Sequence, residues 1–127
     1  MNTVKEHGIS VGISRIGEYV YMQMNITGKL EHEDYVLMVP MLENAIAGIS
    51  KPKIEVLVDA TDFEGWSLEA AWDDLKFGMK HKNEFTKIAF VGNEKWEEYG
   101  VKVSSWFMSG EIRYFEDINK AKEWIKA

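Results

Sequence analysis

The sequence predicts an α/β protein built on a mixed, mostly parallel five-stranded sheet, with the element order β-β-α-β-α-β-α-β-α. Three observations carry this prediction. Short β-branched apolar runs at residues 54–58 and 86–91 are typical of strands covered on both faces. Stretches with helical apolar spacing lie between and after these runs, which requires right-handed crossovers. Two alternating segments at the start add an antiparallel hairpin.

The predicted hairpin comprises residues 8–16 and 19–27, in which apolar and polar side chains alternate. Gly17 and Glu18 fit a two-residue type II′ turn, because this turn takes glycine at its first central position. We expect the first strand to be antiparallel to the rest and to lie at or near a sheet edge.

The next segment, residues 29–50, has the apolar spacing of a helix, and Gly48 and Pro52 bracket its end. Pro40 lies inside the pattern, which predicts either a kink over residues 36–40 or two short helices. A second helix begins at the favoured N-cap Ser67 and ends in the basic run Lys80, His81 and Lys82. Its expected inward face is Leu68, Ala71, Trp72, Leu75 and Met79.

The last third of the chain predicts two helices around one strand. Asn93 caps a helix that runs to about Met108, residues 111–115 form a short strand, and Asp117 caps the final helix. The inward face of that final helix is predicted as Ile118, Ala121, Trp124 and Ile125.

Composition limits the classes of function. At 127 residues, the chain is expected to form one domain, residues 1–127. Its net charge of −6 argues against a nucleic-acid partner, and the lack of cysteine excludes disulfides and thiolate metal sites. The amino terminus has no apolar signal core and no stretch reaches about 18 apolar residues, so we expect a cytoplasmic protein.

Residues 53–82 predict a buried strand, a loop and a helix, so the loop would lie at the carboxyl end of a strand, where ligands and partners usually bind. Asp59, Asp62 and Glu64 fall in this loop. Their oxygens could serve Mg²⁺ or Ca²⁺, but no calcium-loop spacing is present, and we predict no metal and no cofactor. No catalytic residues are assigned, because the sequence has no nucleophile elbow, helical zinc pair or phosphate loop.

A group of large apolar residues, most of them aromatic, is not easily assigned to the core. Phe63 and Trp66 are predicted in the loop, where large apolar side chains are less easily assigned to a core. Trp106, Phe107 and Met108 are consecutive, so they cannot all point to one side of a helix. These five residues are the predicted ligand-binding set, and a satellite core over the sheet edge is the alternative.

The segment V-L-V-D-A-T-D-F-E-G-W-S-L-E-A-A-W-D-D-L-K-F-G-M-K-H, with I-A-F-V-G-N-E-K-W and the W-F-M cluster after it, resembles the bacterial SpoIIAA-like family, which is related to the STAS domain. The resemblance implies the same α/β fold. STAS domains of the anti-sigma-factor antagonist type bind a partner kinase and are switched by phosphorylation of a serine at the start of a helix. Ser67 is near that position, but Glu64-Gly65-Trp66-Ser67-Leu68 lacks the Asp-Ser-Ser-Gly type motif.

The family also looks similar to the CRAL-TRIO fold of lipid carriers, which implies an apolar pocket. Our first hypothesis is therefore a non-catalytic module that binds an apolar or amphiphilic, lipid-like molecule, with the helix from Asn93 as a mobile lid that touches a membrane surface. The alternative is a STAS-type module that binds a regulatory protein through a switch loop containing Asp59, Asp62 and Ser67. The second alternative is an uncharacterised enzyme.

Overall fold

The structure is a computed structural model that describes residues 8–81, 83–92 and 111–126. Its sheet has five strands: β1 (Gly8–Ile16), β2 (Tyr19–Leu30), β3 (Lys53–Trp66), β4 (Phe85–Val91) and β5 (Glu111–Phe115). They lie side by side in chain order. β1 pairs antiparallel with β2, and the remaining neighbours are parallel. The predicted mixed, mostly parallel five-stranded α/β fold is confirmed.

The β1–β2 hairpin closes as the sequence predicts. Ile16 pairs with Tyr19 across a two-residue loop. Gly17 has a φ of 61°, whereas no described non-glycine residue, Glu18 included, has a positive φ. A positive φ at the first central position alone is the signature of a type II′ turn.

Three helices are described: α1 (His32–Ile46), α2 (Leu68–Lys80) and α3 (Ile118–Lys126). α1 is one continuous helix with Pro40 inside it, so the prediction of two short helices is wrong. The Glu31 backbone N–H donates to the Asp34 carboxylate over 2.8 Å at its start, and Gly48, with a φ of 85°, follows its end. The predicted helix over 93–108 lies outside the described residues.

The sheet has a core on each face. The larger core joins β2, β3 and β4 to α1 and α2, and its fully buried members include Leu42, Ile54 and Met22. The smaller core lies under α3, where Ala121 and Ile125 are buried as predicted. The crossovers through α1 and α2 thus occupy one face, as right-handed β-α-β units in a consecutive strand order require.

The buried face of α2 differs from the prediction. Ala70 and Phe77 are buried, at 0% and 7% exposure, whereas Leu68 and Trp72, which we expected to point inward, are 94% and 59% exposed. The apolar spacing of this short helix fits two overlapping faces, and packing against the sheet selects the one that contains Phe77.

Candidate functional site

The carboxyl end of β3 is the site that the sequence singled out, and it is a strand rather than a loop. β3 continues to Trp66 because β2 is equally extended beside it: Thr27 pairs with Asp62, and Leu30 pairs with Trp66. The predicted loop over residues 59–67 is therefore wrong. Aspartate and glycine disfavour strands in general, but a neighbouring strand that supplies hydrogen bonds outweighs this weak preference.

Two irregularities accommodate these unfavourable residues. The ladder shifts register between Asn25 and Thr27, opposite the point where the Asp59 carboxylate accepts hydrogen bonds from the Thr61 backbone N–H at 3.1 Å and the Thr61 hydroxyl at 2.6 Å. A second shift follows Gly28, near Gly65, and both glycines have a positive φ. Asp59 therefore stabilises a β-bulge, in which one strand carries an extra residue.

The three predicted switch residues do not gather in one loop. Asp59 and Asp62 lie along an extended strand, and Ser67 follows its end. At about 3.3 Å per residue, Asp59 and Ser67 are separated by up to roughly 25 Å. By the same measure Asp62, which is exposed, lies up to roughly 16 Å from Ser67, so Ser67 is the switch residue at the start of α2.

Phe63 and Trp66 pack together at this strand end. Phe63 is only 2% exposed and belongs to the larger core. Its ring meets that of Trp66 edge to face, with centroids 4.8 Å apart, and the Trp66 indole N–H donates to the Tyr35 hydroxyl over 2.9 Å. The structure thus places Phe63 in the core rather than in an exposed loop. Trp106, Phe107 and Met108 lie outside the described residues.

A cavity of about 70 Å³ lies between the sheet and the two helices on its larger-core face. Trp66 lines it, whereas Phe63 does not. The other lining side chains are apolar apart from Tyr35: Ile9, Met22, Met24, Ile26, Leu30, Met38, Val56, Val58, Phe77, Phe85, Ile88 and Phe90. The lining residues come from β1 to β4, α1 and α2, so sequence spacing within one element gives no signal for this space.

The start of α2 is capped as predicted. The Ser67 hydroxyl accepts the Ala70 backbone N–H at 3.1 Å, and the Ser67 backbone N–H donates to the Leu30 carbonyl over 2.9 Å. Ser67 therefore joins the end of β2 to the first turn of α2. The adjacent Leu68 and Trp72 present two large apolar side chains to solvent.

The other end of α2 contains a buried histidine that the sequence analysis missed. The sequence places His81 in a basic run between two lysines at the end of the helix, and the structure shows that its side chain is buried, at 4% exposure. Its Nδ1 lies 2.6 Å from the Glu84 carboxylate. Its Nε2 is 3.6 Å from the Glu43 carboxylate and has no hydrogen-bond partner among the described residues. The His81-Glu84 spacing is the only signal that could have suggested this arrangement.

Ion pairs also connect α1 to α2 on the outside of the helices. His32 Nδ1 lies 2.5 Å from the Asp73 carboxylate, and hydrogen bonding to Asp73 raises the pKa of His32 above 6.5. Lys80 Nζ lies 2.5 Å from the Glu43 carboxylate, and this hydrogen bond lowers the pKa of Glu43 below 4.5. Both contacts join residues more than thirty positions apart.

An enzyme that uses a nucleophile and a general base needs the two groups within hydrogen-bond reach of each other. Ser67 and His81 cap opposite ends of α2, which are roughly 20 Å apart at 1.5 Å per residue, so they cannot act together as nucleophile and base. Within the described residues, no three histidine, aspartate or glutamate side chains converge as metal ligands. None of the described helices is long and apolar enough to span a membrane.

The sequence profile of the SpoIIAA-like family matches residues 21–126. The chain belongs to the SpoIIAA-like family. A crystal structure of an uncharacterized protein with a SpoIIAA-like fold from Shewanella loihica is 44% identical, covers 98% of this chain and 99% of its own, and superposes with a TM-score of 0.82. No curated protein matches the sequence.

The SpoIIAA-like match agrees with the resemblance inferred from the strand-to-helix segment around Ser67. The matched residues run from β2 to α3, so β1 precedes them. The Shewanella protein covers nearly the whole chain. Membership in the SpoIIAA-like family therefore establishes the fold and leaves the activity to be argued from the surface of this chain.

Proposed function

We propose that this chain is a non-catalytic protein-interaction module of the STAS type, which contacts a regulatory protein through the amino-terminal end of α2. The observation that carries the proposal is the exposure of Leu68 and Trp72, at 94% and 59%. The two residues are four positions apart, so they are neighbours on one side of the helix. Large apolar side chains that sit together in solvent are characteristic of binding surfaces.

The charges around this pair suggest the chemistry of the partner. Glu69 is exposed in the first turn of α2, and the chain carries a net charge of −6. A partner surface with an apolar pocket and a basic rim would complement this patch. Association with such a partner should slow as salt is added, because salt screens the attraction between opposite charges.

Ser67 supplies a regulatory point at the same surface. A phosphate on Ser67 would lie at the amino terminus of a helix, where backbone N–H groups and the helix dipole favour negative charge. The Ser67→Asp substitution imitates part of this charge, and it keeps the helix cap because aspartate is as good an N-cap residue as serine.

A photo-crosslinking amino acid tests the proposed contact surface in the cells that produce the protein. Placed at Leu68 or Trp72, it should capture one partner. Placed at Leu37 on α1, which is 72% exposed, it should not capture that partner. Ser67→Asp should change the yield at position 72 by about tenfold, a difference of about 1.4 kcal/mol in binding free energy. Equal capture at all three positions, together with no effect of Ser67→Asp, would contradict the proposal.

A second candidate function, binding of an apolar molecule, is favoured by the cavity between the sheet and the helices. Its walls are almost entirely apolar, so it suits an apolar ligand. At about 70 Å³, it is smaller than the roughly 150 Å³ cavity that accepts benzene in another protein. A lipid-like ligand would therefore require the helices to move apart, whereas a very small apolar molecule would not.

Native mass spectrometry and vesicle flotation separate this second candidate from the first. A retained apolar molecule after gentle purification, or a rise in Tm with xenon, would support ligand binding. Flotation with phosphatidylcholine vesicles would support membrane contact, which the net charge of −6 disfavours on anionic membranes. No bound molecule, no Tm shift and no flotation would leave only the protein-interaction function.

A further inference from the structure

The outer edge of β1 is a surface distinct from the start of α2. β1 forms one edge of the described sheet and pairs with β2 along its whole length. The two-residue turn makes Ile16 and Tyr19 a hydrogen-bonded pair, and bonded and non-bonded pairs alternate from there. The backbone N–H and C=O groups of Ile9, Val11 and Ile13 therefore point away from β2, toward the open edge.

β1 lacks the short length, the proline and the outward charges that usually prevent an edge strand from pairing with another molecule. β1 has nine residues, no proline and one charge, Arg15. The guanidinium of Arg15 is turned onto α1, where it donates to the carbonyls of Ala45 and Ala47 at 3.1 Å each. The opposite edge, β5, has five residues and carries Glu111 and Arg113. Short length and charge protect β5, whereas β1 is long and largely uncharged.

An apolar row runs along the unprotected edge. Ile9, Val11 and Ile13 pack against the larger core but are only partly buried. A strand added beside β1 would cover the remaining exposed area of this row. Burial of apolar area is the main favourable term in association, so the row favours an occupant that is itself apolar on the same face.

The sequence of β1 complements itself about Gly12. When two copies of β1 run antiparallel with Gly12 opposite Gly12, Val11 faces Ile13 of the second copy, and Ser10 faces Ser14 of the second copy. Directly opposed residues point to the same side of a sheet, so the apolar rows join and the serine rows join. No like charges are opposed, because Arg15 faces Ile9.

We infer that two copies of this chain associate through β1, antiparallel and centred on Gly12, so that the two sheets become one continuous sheet. The pairing is isologous, because the same surface of each copy forms the contact. A contact confined to one strand pair belongs to the weak class of interfaces, which bury less than about 1,200 Å². The dimer should therefore have a dissociation constant on the order of micromolar.

A single introduced cysteine tests the register directly, because the chain has no cysteine of its own. In Gly12→Cys, the two thiols would face each other in a non-bonded pair, whose Cα atoms are about 4.5 Å apart and within disulfide range. Gly8→Cys is the matched control, because a Cβ at either glycine meets nothing within 4 Å. In the proposed dimer, the two copies of residue 8 are roughly 27 Å apart.

Under mild oxidation at about 100 µM protein, Gly12→Cys should form a disulfide-linked dimer at least about tenfold faster than Gly8→Cys, because opposed thiols react as if highly concentrated. Equal rates for the two variants, or no dimer from Gly12→Cys, would overturn the inference. Circular dichroism of both reduced variants verifies that each is folded.

Sedimentation velocity with charged variants provides an independent test. Ser10 and Ser14 are both exposed, and their β2 neighbours, Asn25 and Tyr21, are uncharged. Ser10→Glu with Ser14→Glu opposes like charges in the dimer, whereas Ser10→Glu with Ser14→Lys opposes unlike charges. The dissociation constant should be at least about tenfold higher for the first variant than for the second. A wild-type chain that remains monomeric at about 500 µM, or equal constants for the two variants, would refute the pairing.

Discussion

Phe77→Ala should destabilise the folded chain, because Phe77 is the main apolar contact of α2 with the sheet among the described side chains. Phe77 is 7% exposed, and its ring meets the ring of Phe85 with centroids 6.1 Å apart. Replacing a buried phenylalanine by alanine costs about 3–5 kcal/mol. Phe77 borders a cavity and is therefore packed less closely on that side, so we expect about 3 kcal/mol.

Urea unfolding followed by tryptophan fluorescence measures the decrease in the free energy of unfolding directly. For a chain of this size, about 3 kcal/mol should lower Tm by roughly 12 °C. Val36→Ala is the matched control: Val36 lies on the other wall of the groove between α1 and α2 but is 55% exposed, so its loss should stay below about 0.5 kcal/mol. A loss below about 1 kcal/mol for Phe77→Ala would refute the reasoning that this side chain anchors α2.

Three further predictions concern the cap and the ion pairs of the helices. Ser67→Ala should cost about 1 kcal/mol in urea unfolding, because it removes the N-cap acceptor, whereas Ser67→Asp should cost close to nothing. Hydrogen bonding to Asp73 raises the pKa of His32, so this contact stabilises the fold below pH 6.5. The stabilisation is lost as pH rises through the folded-state pKa of His32. The profile of unfolding free energy against pH should not show this loss in His32→Gln. The lowered pKa of Glu43, caused by Lys80, makes that contact stabilising above pH 4.5, and Glu43→Gln should remove the loss that occurs as pH falls below 4.5.

The sequence predicts most of the fold, because most of its turns, strands and helix ends are determined by residues that are close together in the chain. The II′ turn at Gly17, the covered strand β4 and the cap at Ser67 are all encoded within a few neighbouring residues. The extension of β3 is different. Asp59 to Trp66 becomes strand only because β2 lies beside it, and no local pattern in β3 records the length of its neighbour.

The candidate site was predicted less well than the fold, for the same reason. The sequence places Phe63 and Trp66 in one ligand-binding set, but only tertiary packing decides that Phe63 is core and that Trp66 lines a cavity. His81 Nε2 lies 3.6 Å from the carboxylate of Glu43, which is 38 positions earlier in a different helix, so periodicity within α2 cannot reveal this contact. Exposure of Leu68 and Trp72 likewise follows from which of two possible faces α2 turns toward the sheet.

The two proposed contact surfaces are separated by α1, and this makes them testable one at a time. α1 packs on β1 and β2, and α2 lies beside α1 over the larger core. A second copy that pairs with the edge of β1 would therefore leave Leu68 and Trp72 accessible. The variant with glutamate at both Ser10 and Ser14 should weaken the dimer without changing crosslinking at position 72. If crosslinking at position 72 disappears with the dimer, position 72 reaches its partner only in the dimer, and the separation of the two surfaces by α1 is contradicted.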